Sequence, residues 1–319
     1  MYKDFFQLNE YPFSLTPDPR FIVTSSKYNE TLAGLCYGIE MSKGLMVLTG
    51  EVGTGKTTAL RWILGRLDRC VRAAYIFNPH LSLDEFYYKL DEGLLLGEWN
   101  NKTELLSQLG ELLRIRHSRG LRTVVIIDEA HELSDEVLEE IRLLLNFESE
   151  TAKLLQVILT GQPELRVRLR QPNLRQLKQR IAVRCEMPTL SDVEETEHYI
   201  TERLRIAGAV DTDLFTSAAI GLVHSCSEGI PRQINNVCDN AMLAAYALGS
   251  RQIDHRVVGS VVENLDMLPH EIYGATASKD VDFSRPVIDP IGRSEILSGL
   301  VEKDGFESTR MDHSSAKSM

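Results

Sequence analysis

No apolar run in this chain approaches the roughly 20 residues that cross a bilayer. The longest, Val124 to Ile127 and Leu154 to Leu159, stop far short, and the N-terminus has no basic, apolar leader. A membrane-spanning or secreted protein is therefore not indicated, and a cytoplasmic one is expected. Cysteine is scarce and unpaired: Cys36, Cys70, Cys185, Cys226 and Cys238 are odd in number and lack any C-x-x-C spacing. That leaves no basis for a disulfide framework or a zinc site, and reduced thiols are expected. Internal repeats are also missing. So is an excess of positive charge, since 35 Lys and Arg face 46 Asp and Glu for a net −11, which weighs against wholesale nucleic-acid binding. One window breaks that trend. Arg166, Arg168, Arg170, Arg175, Lys178, Arg180 and Arg184 follow one another with no acidic residue between them.

What is present begins with Gly50-Glu51-Val52-Gly53-Thr54-Gly55-Lys56-Thr57, followed by Thr58. It fills every fixed position of the phosphate-binding pattern G-x-x-x-x-G-K-[ST]. The glycines let the backbone wrap an anion and aim N–H groups at oxygen without side chains in the way. Lys56 supplies a point charge for the β and γ phosphates. Thr57 offers a hydroxyl to Mg²⁺, and the helix that starts there points its positive end at the same place. The flanks match: Leu45 to Thr49 reads as a buried strand and Thr58 to Leu64 as a helix. The chain is expected to bind a nucleoside triphosphate with Mg²⁺.

The 319 residues, 43% of them hydrophobic, suffice for more than one core. Phe13 to Arg20 carries three turn-forming signals and reads as an extended arm. A helix is expected from Asn29 to Met41, a second strand from Val71 to Phe77, and helices over Ser82 to Leu96 and Thr103 to His117. Then come a strand from Thr123 to Ile127, a helix from Ser134 to Asn146, and strands over Leu154 to Thr160 and Ile181 to Glu186. Strands alternating with helices imply a parallel sheet covered on both faces. From Ser191 the pattern is helical only: Val193 to Ala207, Phe215 to Ser225, Pro231 to Leu248 and His255 to Leu265. The expected domains are an arm over residues 1–28, an α/β nucleotide-binding domain over 29–189, a helical lid over 190–270, and a polar tail over 271–319. The tail is read as unstructured, with a short docking helix considered around Ser294 to Glu302.

The strand Val124 to Ile127 delivers Asp128 and Glu129 at its end, where ligands sit in open parallel sheets. Asp128 is the expected magnesium holder beside Thr57, and Glu129 the expected base that orients an attacking water in line with the γ phosphate. Thr160 and Gln162, closing the fourth strand, are candidate sensors of that phosphate. Charge developing on the phosphoryl group also calls for a cation beyond Lys56. Arg180 is the first candidate, inserted into a neighbouring subunit's site, with Arg175 behind it. Gly229-Ile230-Pro231-Arg232 opens a lid helix with glycine for the turn and proline at its first position, and Arg232 is placed to reach the nucleotide. Trp62 and Tyr75 are read as core aromatics, and His131 is given no role.

With these residues assembled, the chain resembles the AAA+ ATPases, and within them the general secretion pathway protein A, or ExeA-type, family. The matching stretches are Pro12-Phe13 with Thr16 to Arg20, Leu48 to Thr58, Ile127 to Ala130, Gly161 to Leu165, Gln179 to Ile181, and Gly229 to Asn235. They keep the family's order from about residue 4 to about 268. The resemblance implies a P-loop fold with a five-stranded parallel sheet in order 5-1-4-3-2 and an all-helical lid. It also implies active sites shared between subunits of a homo-oligomeric ring or filament, and an arm around Pro17 to Arg20 near the adenine. The family's usual Asn at the end of the fourth strand is replaced by Thr160 and Gln162. The membrane span and peptidoglycan-binding domain of secretion members are not expected here.

The resulting expectation is an ATPase that converts ATP and water to ADP and phosphate to assemble or remodel a protein complex, in secretion or in cell-envelope or exopolysaccharide export. The alternative is a DNA-associated ATPase regulator of the TniB and MuB-like transposition type. A phosphotransferase would need a second substrate pocket, for which the sequence gives no sign.

Overall fold

In the computed structural model, the described residues are 1–267 apart from Pro17, Asp68, Arg69, Asn78 and Pro79. The polar tail over 271–319 and the docking helix at Ser294 to Glu302 lie outside them. In chain order the elements are α1 (Tyr2–Phe5), α2 (Ser26–Glu40), β1 (Leu45–Thr49), α3 (Lys56–Leu67), β2 (Val71–Phe77), α4 (Leu83–Leu94) and α5 (Lys102–Ser118). There follow β3 (Arg122–Asp128), α6 (Asp135–Leu144), β4 (Leu155–Gly161), α7 (Glu164–Arg168), α8 (Arg175–Gln179) and β5 (Ile181–Glu186). Four helices complete the series: α9 (Val193–Ile206), α10 (Ser217–Ser227), α11 (Pro231–Ala247) and α12 (His255–Asn264).

The five strands form one parallel sheet in the order β2-β3-β4-β1-β5, which is the order 5-1-4-3-2 read from the other edge. Its three inner strands bury nearly every side chain, as strands covered on both faces must. Alternation then divides them between two cores. Leu45, Val47, Val125, Ile127, Val157 and Leu159 face α4, α5, α6, α7 and α8, while Met46, Leu48, Val124, Ile126 and Ile158 face α2 and α3. The helices start where side chains satisfy their first free N–H groups. Ser25 caps α2, Ser82 forms a capping box with Glu85 on α4, Asn101 caps α5 and Ser134 caps α6.

A third core belongs to α9–α12, where Ile200, Leu204, Val223, Ile234, Val237, Met242, Val258 and Val262 meet. Asp192, Thr216 and Asp254 cap three of these helices. The N-terminal residues are corrected here. They are not simply an extended arm, because Tyr2, Phe6, Leu8, Phe13 and Phe21 are buried in that same third core. The reason is an apolar surplus in the first turns that a free arm would leave in water. Arg203 of α9 fastens the segment by donating through Nε to the Pro12 carbonyl at 2.7 Å and through Nη1 to the Phe21 carbonyl at 3.3 Å. A single 3-10 turn, Pro19–Phe21, is capped by Asp18. No helix among the described residues is long and apolar enough to cross a membrane.

Candidate nucleotide site

The loop between β1 and α3 lies at the carboxyl end of the sheet, tied across it by a hydrogen bond from the Gly50 amide to the Gly161 carbonyl at 3.2 Å. Thr54 is buried and donates through Oγ1 to the Glu51 carbonyl at 2.8 Å, which rounds the loop. Gly53 has φ +88°, and a Cβ there would lie 2.6 Å from Cβ of Arg232, so only glycine admits both the backbone and the lid. Beside Gly55, by contrast, nothing stands within 4 Å of where a Cβ would be. That open space is the cradle. Glu51 and Val52 are exposed on its rim, and Thr58 is half-buried along its wall.

Lys56 is 6% exposed, and its Nζ donates to the carbonyls of Gly50 at 2.7 Å and Glu51 at 2.9 Å. Burial draws the ammonium's pKa down, while the carboxylates of Glu129 and Asp128 oppose that shift. A buried cation beside a glycine-rich loop at a helix N-terminus is a receptor for a polyanion.

Next to it, Asp128 is 1% exposed and accepts three hydrogen bonds. Its Oδ2 accepts from Thr57 Oγ1 at 2.9 Å and from the Tyr75 hydroxyl at 2.5 Å, and its Oδ1 accepts from the Glu129 amide at 3.0 Å. Burial first, and then Asp128, push the Tyr75 phenol well above its ordinary pKa, so it stays a donor. Tyr75 is partly buried against the core, as the sequence suggested, yet its hydroxyl also belongs to the site. The signal was a lone hydroxyl in an apolar strand whose register sets Phe77 opposite Asp128 and Tyr75 two positions earlier on the same face. Trp62 also packs against the core, beneath the guanidinium of Arg66.

Glu129 holds a left-handed backbone at φ 51° as it leaves β3. Its Oε2 is buried without a hydrogen-bond partner, and so is Oγ1 of Thr160 at the end of β4. Gln162 is half-buried, and its amide reaches Nδ1 of His131 at 3.5 Å. An orphaned buried carboxylate oxygen on Glu129, which lines the cavity beside the cradle, is a group prepared for something that binds there.

A cavity of about 380 Å³ joins the phosphate loop and Glu129 to the lid and the N-terminal segment. Gly53, Lys56, Thr57 and Glu129 form one end; Thr16, Ile22, Tyr28, Tyr199, Arg203 and Asn235 are among the residues of the other. Arg203 lies over the rings of Phe21 and Tyr199, whose hydroxyl donates to Asn235 at 3.0 Å. Arg232 lines the cavity with its side chain exposed, and its amide donates to the Gly53 carbonyl at 3.1 Å. The residues fit a magnesium nucleotide, with the cradle for phosphates, Thr57 and Asp128 for the ion, and the lid end for the rest.

Arg180 is not brought to its own chain's site. Ile181 pairs with Leu45 at the start of β1, whereas the loop follows Thr49, so about 16 Å of strand separates them. Its Nη2 donates to Oδ1 of Asn146 at 2.7 Å. Arg175 is exposed nearby on α8.

Fold and site together define a P-loop protein of the AAA+ class. Residues 39–169 match the AAA domain family. The chain is 44% identical over 265 residues to General secretion pathway protein A of Aeromonas hydrophila, a match that covers 80% of this chain and 47% of that protein. It thus spans about half the length of that curated relative. Among solved structures, the ORC2 protein of Aeropyrum pernix in ADPNP and ADP complexes superposes with TM-score 0.62 at 16% identity, over 85% of this chain and 75% of that one. Drosophila ORC bound to DNA gives 0.60 at 18%, over 84% and 67%. These two likenesses show the fold alone. The chain belongs to the AAA+ ATPases, in the General secretion pathway protein A type.

Proposed function

We propose that this protein binds ATP with Mg²⁺ and hydrolyses it to ADP and phosphate, using the cycle to assemble or remodel a partner complex in secretion or cell-envelope export. The observation that carries the reading is the contact of Thr57 with Asp128 beside the buried Lys56 and the unpartnered carboxylate oxygen of Glu129. Thr57 and Asp128 would hold Mg²⁺, which when bound would offset negative charge on the phosphates. Lys56 leaves the loop carbonyls for the phosphates, and the amides from Gly53 to Thr57 hold them. Glu129 takes a proton from the attacking water and keeps it in line. Thr160 hydrogen-bonds the γ phosphate through its free hydroxyl, with Gln162 as the second candidate. Arg232 reports the nucleotide to the lid, and Arg180 enters the site of a neighbouring copy. The chain divides on this reading into an α/β domain over 29–189 and a helical lid over 190–270, with residues 1–28 at the adenine end; the separate cores of the sheet and of α9–α12 support it.

Phosphate release and nucleotide binding test this. Glu129→Gln should bind ATP as the parent does but turn it over at least 10²-fold more slowly, the usual scale for a general base. Normal turnover in that variant would place the base elsewhere. A second reading, association with duplex DNA, is favoured by exposed Arg170, Arg175, Lys178 and Arg184 on α8, β5 and the preceding turn. The same window is partly neutralised, however, since Arg166 pairs with Glu186 and Arg168 with Asp135. DNA-stimulated turnover that weakens steeply with salt would support it.

A further inference from the structure

His131 lies in the 3-10 turn Ala130–Glu132 that follows β3, and its side chain is 8% exposed. Its backbone is pinned: the carbonyl accepts from Arg168 Nη1 at 2.7 Å, and Nη2 of that arginine binds Asp135 at 2.7 Å. The ring is thereby wedged between the two strand ends that flank the cradle. Nδ1 lies 3.4 Å from Oε2 of Glu129 and accepts the Gln162 amide at 3.5 Å, while Nε2 lies 3.4 Å from Oε1 of Glu132. The fit is close, because a Cβ on Gly161 would stand 3.1 Å from Nδ1.

Nδ1 is taken up by the Gln162 backbone amide, and no hydrogen bond joins it to the Glu129 carboxylate oxygen beside it. The ring thus closes the side of the carboxylate toward β4, and the open direction is toward the cavity that Glu129 lines.

We propose that His131 is a positioning residue for Glu129: by holding the end of β4 through Gln162 and closing one side of the carboxylate, it keeps that carboxylate turned to the attacking water. The inference rests on Glu129 being the base. A glutamate that found a donor on the protein would be held away from the water, and a shift of about 1 Å in such a group can cost about 10²-fold in rate.

Three substitutions separate this from a packing role. His131→Asn keeps an acceptor at the place of Nδ1, His131→Gln puts its amide near the place of Nε2, and His131→Leu fills volume only. Steady-state ATP hydrolysis and the affinity of a fluorescent ATP analogue are measured for each, with urea unfolding as the check on folding. The expected result is a kcat within about 3-fold of the parent for Asn and 10- to 100-fold lower for Gln and Leu, with KM and analogue affinity unchanged within about 2-fold. Equal loss in Asn and Gln, no loss in Leu, or a KM that moves with kcat would overturn the proposal. If Leu does not fold, the Asn and Gln pair decides. If the parent chain does not hydrolyse ATP, the base assignment and this inference both fall. If it does and the three variants match it, only this inference falls.

Discussion

Replacing Gly229 by Ala should weaken the hinge between the lid and the phosphate loop far more than the same change at Gly249. The two glycines share a backbone, with φ +67° and +68°. Each substitution places an L side chain in the left-handed region, at about 1–2 kcal/mol, offset by roughly 0.4–1 kcal/mol from the stiffer unfolded chain. Their surroundings differ. At Gly249 nothing lies within 4 Å of the new carbon, whereas at Gly229 it would meet the Leu190 carbonyl oxygen at 2.0 Å. That carbonyl cannot retreat freely, because the Leu190 amide donates to the Gly229 carbonyl at 2.8 Å. Losing that bond costs about 1 kcal/mol, and forcing the backbone apart costs about 1–3 kcal/mol more. Gly249→Ala should therefore lose about 1 kcal/mol and Gly229→Ala about 3–5 kcal/mol. For a domain of this size the gap corresponds to a melting temperature roughly 4–16 °C lower. Thermal and urea unfolding of the two variants side by side measure it. Because α11 begins just beyond Gly229 and its Arg232 amide is bonded to Gly53, nucleotide affinity should also fall in Gly229→Ala alone. Equal losses in the two variants would refute the steric account and leave only backbone strain.

Arg180→Ala should keep nucleotide binding and lose most turnover, and mixing it with Glu129→Gln should restore activity, since each supplies what the other's site lacks. A mixture no more active than its parts would remove Arg180 from any shared site. Tyr75→Phe takes one of three donors from Asp128, and the magnesium concentration for half-maximal turnover should rise about 10-fold, the scale for groups that orient a metal ligand. An unchanged magnesium requirement would make Tyr75 a packing residue only.

Much of the fold was legible because its signals are local. Val71–Phe77 and Ile181–Glu186 are strands with the bounds expected from their apolar, β-branched composition, and helix starts fall within a few residues of Ser, Asn, Asp and Thr caps. The glycine loop and the Asp128-Glu129 pair lie where their order in the sequence puts them, between β1 and α3 and at the end of β3. What escaped depends on contacts distant in sequence. The N-terminal segment reads as an arm until Arg203, 191 residues from Pro12, is seen to fasten it. Tyr75 resembles any core aromatic until strand register sets it near Asp128. His131 could be noticed only once the end of β4 was known to pass beside it. Arg180 was legible as a cation but not as one at the far end of its own sheet.

The closing of the third core has a consequence for how the chain is made. Phe6, Phe13 and Phe21 leave the ribosome long before their partners in α9 to α12, which come some two hundred residues later, and Tyr2 finally meets Asp239. During that interval several aromatic rings have nowhere to hide, a period in which nascent chains stick to one another. A holding factor bound to the first two dozen residues, and let go only when α11 has appeared, would raise the yield of active protein more than one acting on the sheet.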